Sequence, residues 1–591
     1  MPQLTVNQVL SGADLGLIWG LTDLLVLEVG DRTVLYALGR TDSGLVEVTV
    51  GSDGTLTPVG VLALSGDFSV GSIPALGSYV DGGGTRLTLA GLDPVAGSFV
   101  GLDANGTLLT QFAEAGIGEL AAPAGKSLAA GSAIVSGRSS AGGLDLFLDN
   151  GGGLSWNAGI DDDASSYLAD VSASASFQIG SVDYLITASQ IEDGVTVTEI
   201  SSTGSLATVG SLGVAEGLPI NTPTDIAVFQ RLGETLAVIG ASGTSSMSTL
   251  RIEGSGDLWL SDHVLDDSET RFQGVAGIDA TTVGNFAFVA AGGTDGGVSL
   301  FTVLPGGRLV HIDTVGDDSS TTLYRVSSVT MTLTASAIEL FVASALEPGL
   351  TRISFDVTAL GAVLVGGGAS LFGTALDDQL IGSDTDDTLD GGAGDDIIFD
   401  GQGADSMTGG SGADLFIFAQ DGVADAVLDF ERGVDRLDLS GFDFLYDVSQ
   451  LTITPTIDGA TLEFSEEVVQ ITTSDAAPLT AGDLTNADIL NVDRPPVLTV
   501  HQEIIGGHGA DTLSGGPGDD TIDGAAGNDD LLGHAGLDDL YGGDGHNFLD
   551  GGSENDTIDG GTGLDTIEGG SGDDFIDGGH GGDLIYGDEI V

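Results

Sequence analysis

The sequence predicts an all-β protein, because two internal repeats, one long and one short, cover most of its 591 residues. Residues 1–368 repeat about every 51 residues, and each copy holds alternating apolar runs bounded by turn-forming residues. Residues 373–417 and 506–586 repeat every nine residues without a break in register. Repeats of fixed period are typical of radial or stacked architectures. We therefore predict a β-propeller followed by two parallel β-rolls.

The long repeat is recognised by a turn that precedes a leucine near the last strand of each copy. Strands and hairpins are indicated by the alternating apolar residues between Gly, Asn, Asp and Ser. Four strands in each of seven copies predict a seven-bladed propeller over residues 1–368. A series of β-sandwich domains is the competing fold, although its period would be nearer about 100 residues. The marker positions are Leu56, Leu108, Leu154, Leu206, Leu258 and Leu309, with a degenerate seventh at Val363.

The short repeat follows the pattern G-G-x-G-x-D-x-U-x, where U is apolar. Glycine is first in thirteen of the fourteen repeats, aspartate is sixth in thirteen, and a large apolar residue is eighth in all of them. A flexible Gly/Asp-rich linker would not need that eighth residue, so we prefer a folded solenoid. Asn547 is the one exception at the sixth position. The sixth-position aspartates are Asp378, Asp387, Asp396, Asp405, Asp414, Asp511, Asp520, Asp529, Asp538, Asp556, Asp565, Asp574 and Asp583.

Each element of the nonapeptide has a physical reason. Glycine permits the positive φ of a tight turn, and the last three residues form a short strand whose central side chain points inward. Two nonapeptides complete one turn of a flattened helix, which places alternate repeats in neighbouring layers about 4.8 Å apart. Oxygen atoms of two stacked turns can then surround one ion, and such a flexible cage suits Ca²⁺ better than Mg²⁺. We expect several Ca²⁺ ions and a fold that depends on them.

The nonapeptides resemble RTX (haemolysin-type calcium-binding) repeats, which occur in proteins that Gram-negative bacteria export by type I secretion. Residues 409–443 are similar to the module that follows these repeats in serralysin-like proteases. The resemblance covers residues 370–591 and implies that the sixth-position aspartates are Ca²⁺ ligands. It also implies an exported, extracellular protein that uses a type I exporter as its partner.

The repeats divide the chain into five expected segments. The propeller-like domain and the first roll block are followed by a β module similar to the serralysin C-terminal part, then a stiff linker, then the second roll block. In the same order, the expected ranges are 1–368, 369–417, 418–492, 493–504 and 505–591.

Composition excludes several classes of function. Asp and Glu total 89 against 14 Lys and Arg, a formal net charge of -75, which argues against binding nucleic acid. The absence of cysteine excludes disulfides and thiolate sites. No apolar run reaches the about 18 residues that a transmembrane helix requires. Residues 1–10 do not resemble a cleavable Sec signal.

The function of the propeller is less constrained than that of the repeats. The sequence contains no HExxH, GxSxG or P-loop motif, so we expect a non-enzymatic domain that presents a binding surface to an unknown extracellular ligand. The alternative is a secreted propeller hydrolase, similar to a lactonase, carried by the export module. Acidic or basic side chains that converge from several inner strands would favour that alternative.

Overall fold

The computed structural model divides the chain into two compact units, Met1–Pro495 and Pro496–Val591. The helical elements among the described residues are α1 (Gly12–Leu15), α2 (Asn486–Ile489) and two 3-10 turns, Val214–Glu216 and Val448–Gln450, so the predicted all-β class is confirmed. Neither α1 nor α2 has the length or the apolar character to cross a membrane. The structure describes residues 3–15, 20–39, 44–65, 68, 74–81, 84–91, 99–113, 117, 120–128, 131–138, 142–149, 153–163, 166–367, 370–465, 467–495, 503–518, 520–553, 555–571 and 574–587.

The propeller consists of seven four-stranded antiparallel sheets, as the long repeat predicts. In chain order, its strands are β1 (Thr5–Ser11), β2 (Leu21–Val29), β3 (Arg32–Gly39), β4 (Gly44–Val50), β5 (Leu56–Ala63), β6 (Leu76–Asp81), β7 (Gly84–Leu89), β8 (Phe99–Leu102), β9 (Leu108–Phe112), β10 (Ala121–Leu128), β11 (Gly131–Gly137), β12 (Leu144–Asp149), β13 (Leu154–Ile160), β14 (Val171–Ile179), β15 (Val182–Ser189), β16 (Gly194–Ile200), β17 (Leu206–Gly213), β18 (Pro223–Arg231), β19 (Glu234–Ala241), β20 (Ser246–Ile252), β21 (Leu258–Leu265), β22 (Gly277–Val283), β23 (Phe286–Gly292), β24 (Gly297–Val303), β25 (Leu309–Gly316), β26 (Val326–Leu333), β27 (Ala337–Ser344) and β28 (Gly349–Asp356).

The seventh blade closes the ring with a strand from the start of the chain. β26, β27 and β28 form its first three strands, and β1 pairs with β28 as the fourth. The sequence prediction placed the seventh marker at Val363, and the structure corrects it. Val363 lies in β29 (Leu360–Val365), which pairs in parallel with a strand of the first roll. The solenoid therefore begins at Leu360 rather than at residue 369.

Neighbouring blades are held together by separate apolar clusters. The alternating residues of each strand place one set of side chains on either face of the blade, and each set packs against the next blade. Between the sixth and seventh blades, for example, the ring centroids of Phe288 and Phe355 lie 5.4 Å apart. The marker leucines belong to this packing, since Leu258 and Leu309 are among the buried residues of these clusters.

The first roll has the layered topology that the nine-residue period predicts. Alternate strands lie side by side in two parallel sheets, so that Leu380 pairs with Ile398, eighteen residues later. The solenoid does not stop at the expected boundary after residue 417, because two further strands join it. A unit of three antiparallel strands, one of which pairs in parallel with the roll, then ends the second sheet. After β29, the strands are β30 (Leu371–Phe372), β31 (Asp377–Ile381), β32 (Thr388–Ala393), β33 (Ile397–Phe399), β34 (Ser406–Ser411), β35 (Leu415–Ile417), β36 (Ala424–Phe430), β37 (Arg436–Asp438), β38 (Thr452–Pro455), β39 (Gly459–Phe464) and β40 (Glu467–Thr473).

One outer face of the first roll packs on the propeller. Leu304 and Val310 of the sixth blade form an apolar cluster with Ile381, Ile397 and other strand residues of the roll. Sequence reasoning did not predict this contact, although a signal existed. The three stacked strands read QLI, IIF and LFI, so large apolar residues stand beside the inward side chain in each of them.

The expected linker begins as part of this packed region. Asp493 bridges to Leu265 of the fifth blade, and Arg494 is 8% exposed in an ion pair with Asp262. Residues 493–495 are therefore fixed on the propeller rather than acting as a spacer. Residues 496–502 of the expected linker lie outside the described part of the chain.

The second unit contains the second roll, whose two main sheets are parallel. Its core is a single ladder of eighth-position residues, which includes Ile522, Leu540 and Ile558. Each of these side chains is at most 1% exposed. The strands are β41 (Glu503–Ile505), β42 (Thr512–Pro517), β43 (Thr521–Asp523), β44 (Asp530–Ala535), β45 (Asp539–Tyr541), β46 (Phe548–Ser553), β47 (Thr557–Asp559), β48 (Thr562–Gly563), β49 (Thr566–Ser571), β50 (Phe575–Asp577), β51 (His580–Gly581) and β52 (Leu584–Tyr586).

Candidate metal centres

The structure brings the thirteen predicted aspartates together in four stacks, two in each roll. Within a stack, the backbone N–H of one sixth-position residue donates to Oδ1 of the sixth-position residue in the next layer. The N···O distance is 2.8 Å from Asp378 to Asp396 and 2.9 Å from Asp396 to Asp414. In chain order, the stacks contain Asp378, Asp396 and Asp414; Asp387 and Asp405; Asp511, Asp529, Asn547, Asp565 and Asp583; and Asp520, Asp538, Asp556 and Asp574.

The second carboxylate oxygen is what makes each stack a candidate cation site. While Oδ1 is bonded to the neighbouring layer, Oδ2 of Asp396, Asp414 and Asp529 is buried and accepts no hydrogen bond from any described residue. Asp396 and Asp529 are 0% exposed. A buried ionised oxygen without a partner is costly, so a row of them requires a compensating charge. Stacked carboxylate and backbone oxygens are the ligand set that Ca²⁺ prefers, and these residues therefore fit the ion.

The first glycine of each repeat faces these oxygens. A Cβ atom added to Gly391, Gly409 or Gly569 would collide with Oδ2 of the sixth-position aspartate in the same repeat. The second residue of the repeat has a positive φ, +98° at Gly392, and the non-glycine residues Ala525 and His534 adopt that conformation as well. Glycine at these positions leaves space beside the carboxylate and permits the turn.

The protein alone does not neutralise the buried carboxylates of the first roll. Burial, followed by the charges of neighbouring aspartates, raises the pKa of Asp396, Asp405 and Asp414 to about 7. Hydrogen bonds from backbone N–H groups oppose this shift without cancelling it. A bound divalent cation reverses such a shift, because it favours the ionised form of its ligands.

Sequence reasoning missed two members of the first roll's stacks. Asp425 accepts the N–H of Asp405 at 3.0 Å, and Asp435 accepts that of Asp414 at 3.0 Å. They lie 20 and 21 residues after their partners, so a strict period of eighteen passes over them. The remaining signal is an aspartate two residues before a buried apolar side chain, here Val427 and Leu437, in repeats that lack the first two glycines of the pattern.

The propeller channel is a second concave site, with a volume of about 400 Å³. Three carboxylates of the inner strands line it, Asp23, Asp225 and Asp279, and burial is the main cause that raises their pKa values to about 6, 7 and 6. Each carboxylate accepts an N–H from the following blade, at 2.6 to 2.9 Å. No His or Arg lies on the channel wall within the described ranges. These aspartates join neighbouring blades.

The fold and the stacks define a protein that combines a seven-bladed β-propeller with β-rolls that carry candidate cation sites. A family model described as the RTX calcium-binding nonapeptide repeat (4 copies) matches the roll region of the chain. The C-terminal part of the protein therefore carries RTX calcium-binding repeats, and repeats of this kind bind calcium. The matched residues are 372–399, 381–416, 505–540, 532–567 and 559–589.

Many solved structures resemble part of the chain, whereas no curated protein matches it. A protein from Lactobacillus plantarum is 15% identical with a TM-score of 0.39, covering 56% of this chain and 99% of its own. A functionally unknown protein from Desulfotomaculum acetoxidans is 13% identical with a TM-score of 0.37, covering 52% of this chain and 90% of its own. The similarity of residues 409–443 to serralysin-like modules stays a prediction.

Proposed function

We propose that the protein is an exported calcium-binding protein whose rolls complete their folding outside the cell. The observation that carries this proposal is the row of buried Oδ2 atoms that accept no described hydrogen bond, repeated layer after layer at Asp396, Asp414, Asp529 and Asp565. Sixth-position carboxylates and turn carbonyls would hold the ions. Calcium supplies the positive charge that allows these aspartates to be ionised and buried together.

The same carboxylates support a role in export. At the low free Ca²⁺ of a cytosol, the stacked aspartates repel one another, and the net charge of -75 opposes compaction. A chain in that condition suits a type I exporter, which passes unfolded polypeptides. In an extracellular medium that contains millimolar Ca²⁺, binding adds its free energy to that of folding.

The propeller is proposed to act as the extracellular binding surface. Its channel carboxylates favour this role over the hydrolase alternative, because each of the three already accepts backbone hydrogen bonds within and between blades. A general acid or base needs a free oxygen within reach of a substrate.

Calorimetric titration of the full chain with Ca²⁺ tests calcium binding, with Mg²⁺ as the control cation. We expect binding of several Ca²⁺ ions together with a gain of β-structure in the circular dichroism spectrum. Mg²⁺ at the same concentration should produce a much smaller change, because it keeps its own waters. A spectrum and a heat signal that are both unchanged between chelator and 10 mM Ca²⁺ would refute the proposal.

Export is tested separately by expressing the protein with and without a type I exporter. We expect protein with an intact N-terminus in the medium only when the exporter is present. Recovery of a processed protein from the periplasm would contradict the export route and leave calcium binding unaffected.

A further inference from the structure

One repeat of the first roll lacks the glycine at its first position, and the residue that replaces it adds a carboxylate to the candidate cation site. Asp400 occupies the first position, where the other thirteen repeats have glycine. In those repeats a first-position side chain would point at the sixth-position carboxylate, as the collision at Gly391 shows. The side chain of Asp400 therefore enters the space beside the ligands of its own turn, where it is 1% exposed.

Asp400 forms a group of three buried carboxylates with Asp405 and Asp425. One oxygen of each lies within 4.8 Å of the others, and no other group of three acidic or histidine side chains in the described ranges meets this condition. Asp405 is 2% exposed and Asp425 is 4% exposed. The three residues come from the first and sixth positions of one repeat and from the longer turn of the next layer.

The hydrogen bonds of this group leave one oxygen directed into it without a partner. Asp400 Oδ1 accepts the N–H groups of Gly401 and Ala419, both at 2.8 Å. Asp405 accepts the N–H of Asp387 on Oδ1, whereas its buried Oδ2 has no hydrogen-bond partner among the described residues. An unpartnered, buried carboxylate oxygen beside two more carboxylates is a position for a cation.

Within the described part of the chain, no ion pair with a Lys, Arg or His side chain compensates this group. None of the ion pairs found among the described residues includes any of the three aspartates. Two further acids border the group, since Asp421 accepts the N–H of Gly403 at 2.7 Å and Glu467 accepts that of Gly422 at 3.0 Å. The local charge is therefore more negative than in a stack that has one carboxylate per layer.

We propose that Asp400, Asp405 and Asp425 form a Ca²⁺ site of higher affinity than the ordinary nonapeptide sites, filled first as the calcium concentration rises. The affinity of oxygen-ligand sites increases with the number of charged ligands and with the rigidity of the site. Asp400 adds a third carboxylate, and its two backbone hydrogen bonds fix its orientation. This inference rests on the proposed calcium-binding function.

The test compares Asp400→Gly with the wild type in a calorimetric Ca²⁺ titration of the full chain. The substitution restores the family's own residue, so the roll should still form. In the wild type we expect one site that binds at least tenfold more tightly than the others, and in Asp400→Gly we expect that tight class to disappear while the weaker sites remain. Asp384→Asn, which removes an exposed acid from a neighbouring turn, should retain the tight site.

The titration separates failure of this inference from failure of the proposed function. Identical isotherms for Asp400→Gly and the wild type, with calcium still bound by both, would overturn this inference and leave the proposed function intact. Absence of Ca²⁺ binding by the wild type would instead refute the proposed function. If Asp400→Gly does not fold in saturating Ca²⁺, Asp400→Asn replaces it, because the amide keeps the shape and one oxygen. That variant should also lose the tight site, and an unchanged site would again overturn the inference.

Discussion

Arg494 and Asp262 are 232 residues apart in the chain and form a two-point ion pair. The distances are 3.0 Å from Nε to Oδ1 and 3.2 Å from Nη2 to Oδ2. Both side chains are 8% exposed, and Asp438 of the first roll lies 3.7 Å from the same guanidinium. Burial opposes ionisation of Asp438, but Arg308 and Arg494 outweigh it and hold its pKa below the usual range. This ion pair fixes residues 493–495, which follow the β38–β40 strands and α2, to the propeller.

Arg494→Met should destabilise the first unit by about 3 to 5 kcal/mol, because it leaves buried carboxylates without one of their cations. Urea unfolding of the full chain in saturating Ca²⁺ measures the change. Arg251→Met is the matched control, since the ion pair of Arg251 with Glu253 is exposed. It should cost at most about 1 kcal/mol. Equal losses for the two variants would contradict the structural role of Arg494.

Asn547→Asp should strengthen the Ca²⁺ response of the second roll. Asn547 Oδ1 already accepts the N–H of Asp529 at 2.9 Å, and its buried Nδ2 has no partner among the described residues, at the position where an aspartate presents Oδ2. The substitution supplies the missing charge without changing shape. The reciprocal variant Asp529→Asn should weaken the response, and the two Ca²⁺ midpoints from circular dichroism should shift several-fold in opposite directions. Shifts in the same direction would show that this stack does not hold the ion.

The two rolls should respond differently to a chelator. The first shares its core with β36–β40 and covers propeller residues such as Leu304, whereas the core found among the described residues of the second roll is its own ladder of apolar side chains. Hydrogen exchange followed by mass spectrometry on the full chain should show at least tenfold faster exchange in β43 than in β33 after EGTA is added. Saturating Ca²⁺ is the control and should protect both strands. Equal exchange of both strands in EGTA would argue that the propeller does not support the first roll.

The channel aspartates should make the propeller less stable as the pH rises. Burial raises the pKa of folded Asp225 to about 7, above the about 3.9 of an unfolded chain, so the folded state binds this proton more tightly. Its contribution to stability is complete below about pH 4 and is lost as the pH rises through 7. In chelator, the propeller's thermal midpoint should fall between pH 5 and pH 8, and less steeply in Asp225→Asn.

The slope of the thermal midpoint against pH decides this experiment, and the midpoint itself does not. Asp225→Asn lowers the midpoint at every pH, because the amide keeps only one of the two oxygens that accept the N–H groups of Ile226 and Ile278. Asp31→Asn, at an exposed turn, is the control and should keep the slope of the wild type. If the thermal midpoint of Asp225→Asn fell with pH as steeply as that of the wild type, the Asp225 carboxyl group would not titrate between pH 5 and pH 8.

The nonapeptide stacks could be predicted from the sequence because the reason for each position is local. A glycine such as Gly391 is required by the carboxylate five residues later, and the inward residue follows from strand alternation. Asp425 and Asp435 were missed because longer turns change the spacing while the stacking of layers continues. Spacing alone could not reveal Asp400 as a third carboxylate, since its group depends on a turn in another layer.

Val363 shows where local pattern is insufficient. An alternating strand fits the edge of a propeller blade and the first layer of a roll equally well, and its partner decides between them. Here β28 pairs with β1, so Val363 was free to pair with Gln379 instead. The contact of the first roll with the propeller was missed for the same reason, since Ile381 and Ile397 gain their partners only in the assembled unit.

The strand β1 also makes closure of the ring depend on the two ends of the propeller sequence. Thr5 pairs with Ser354, so the first strand of the propeller is completed only by the last blade. Until β1 and β28 pair, the blades form an open arc with an exposed sheet edge at either end. Closure is a single long-range event that depends on bringing those two ends together, and a contact of this sequence separation is slow to form.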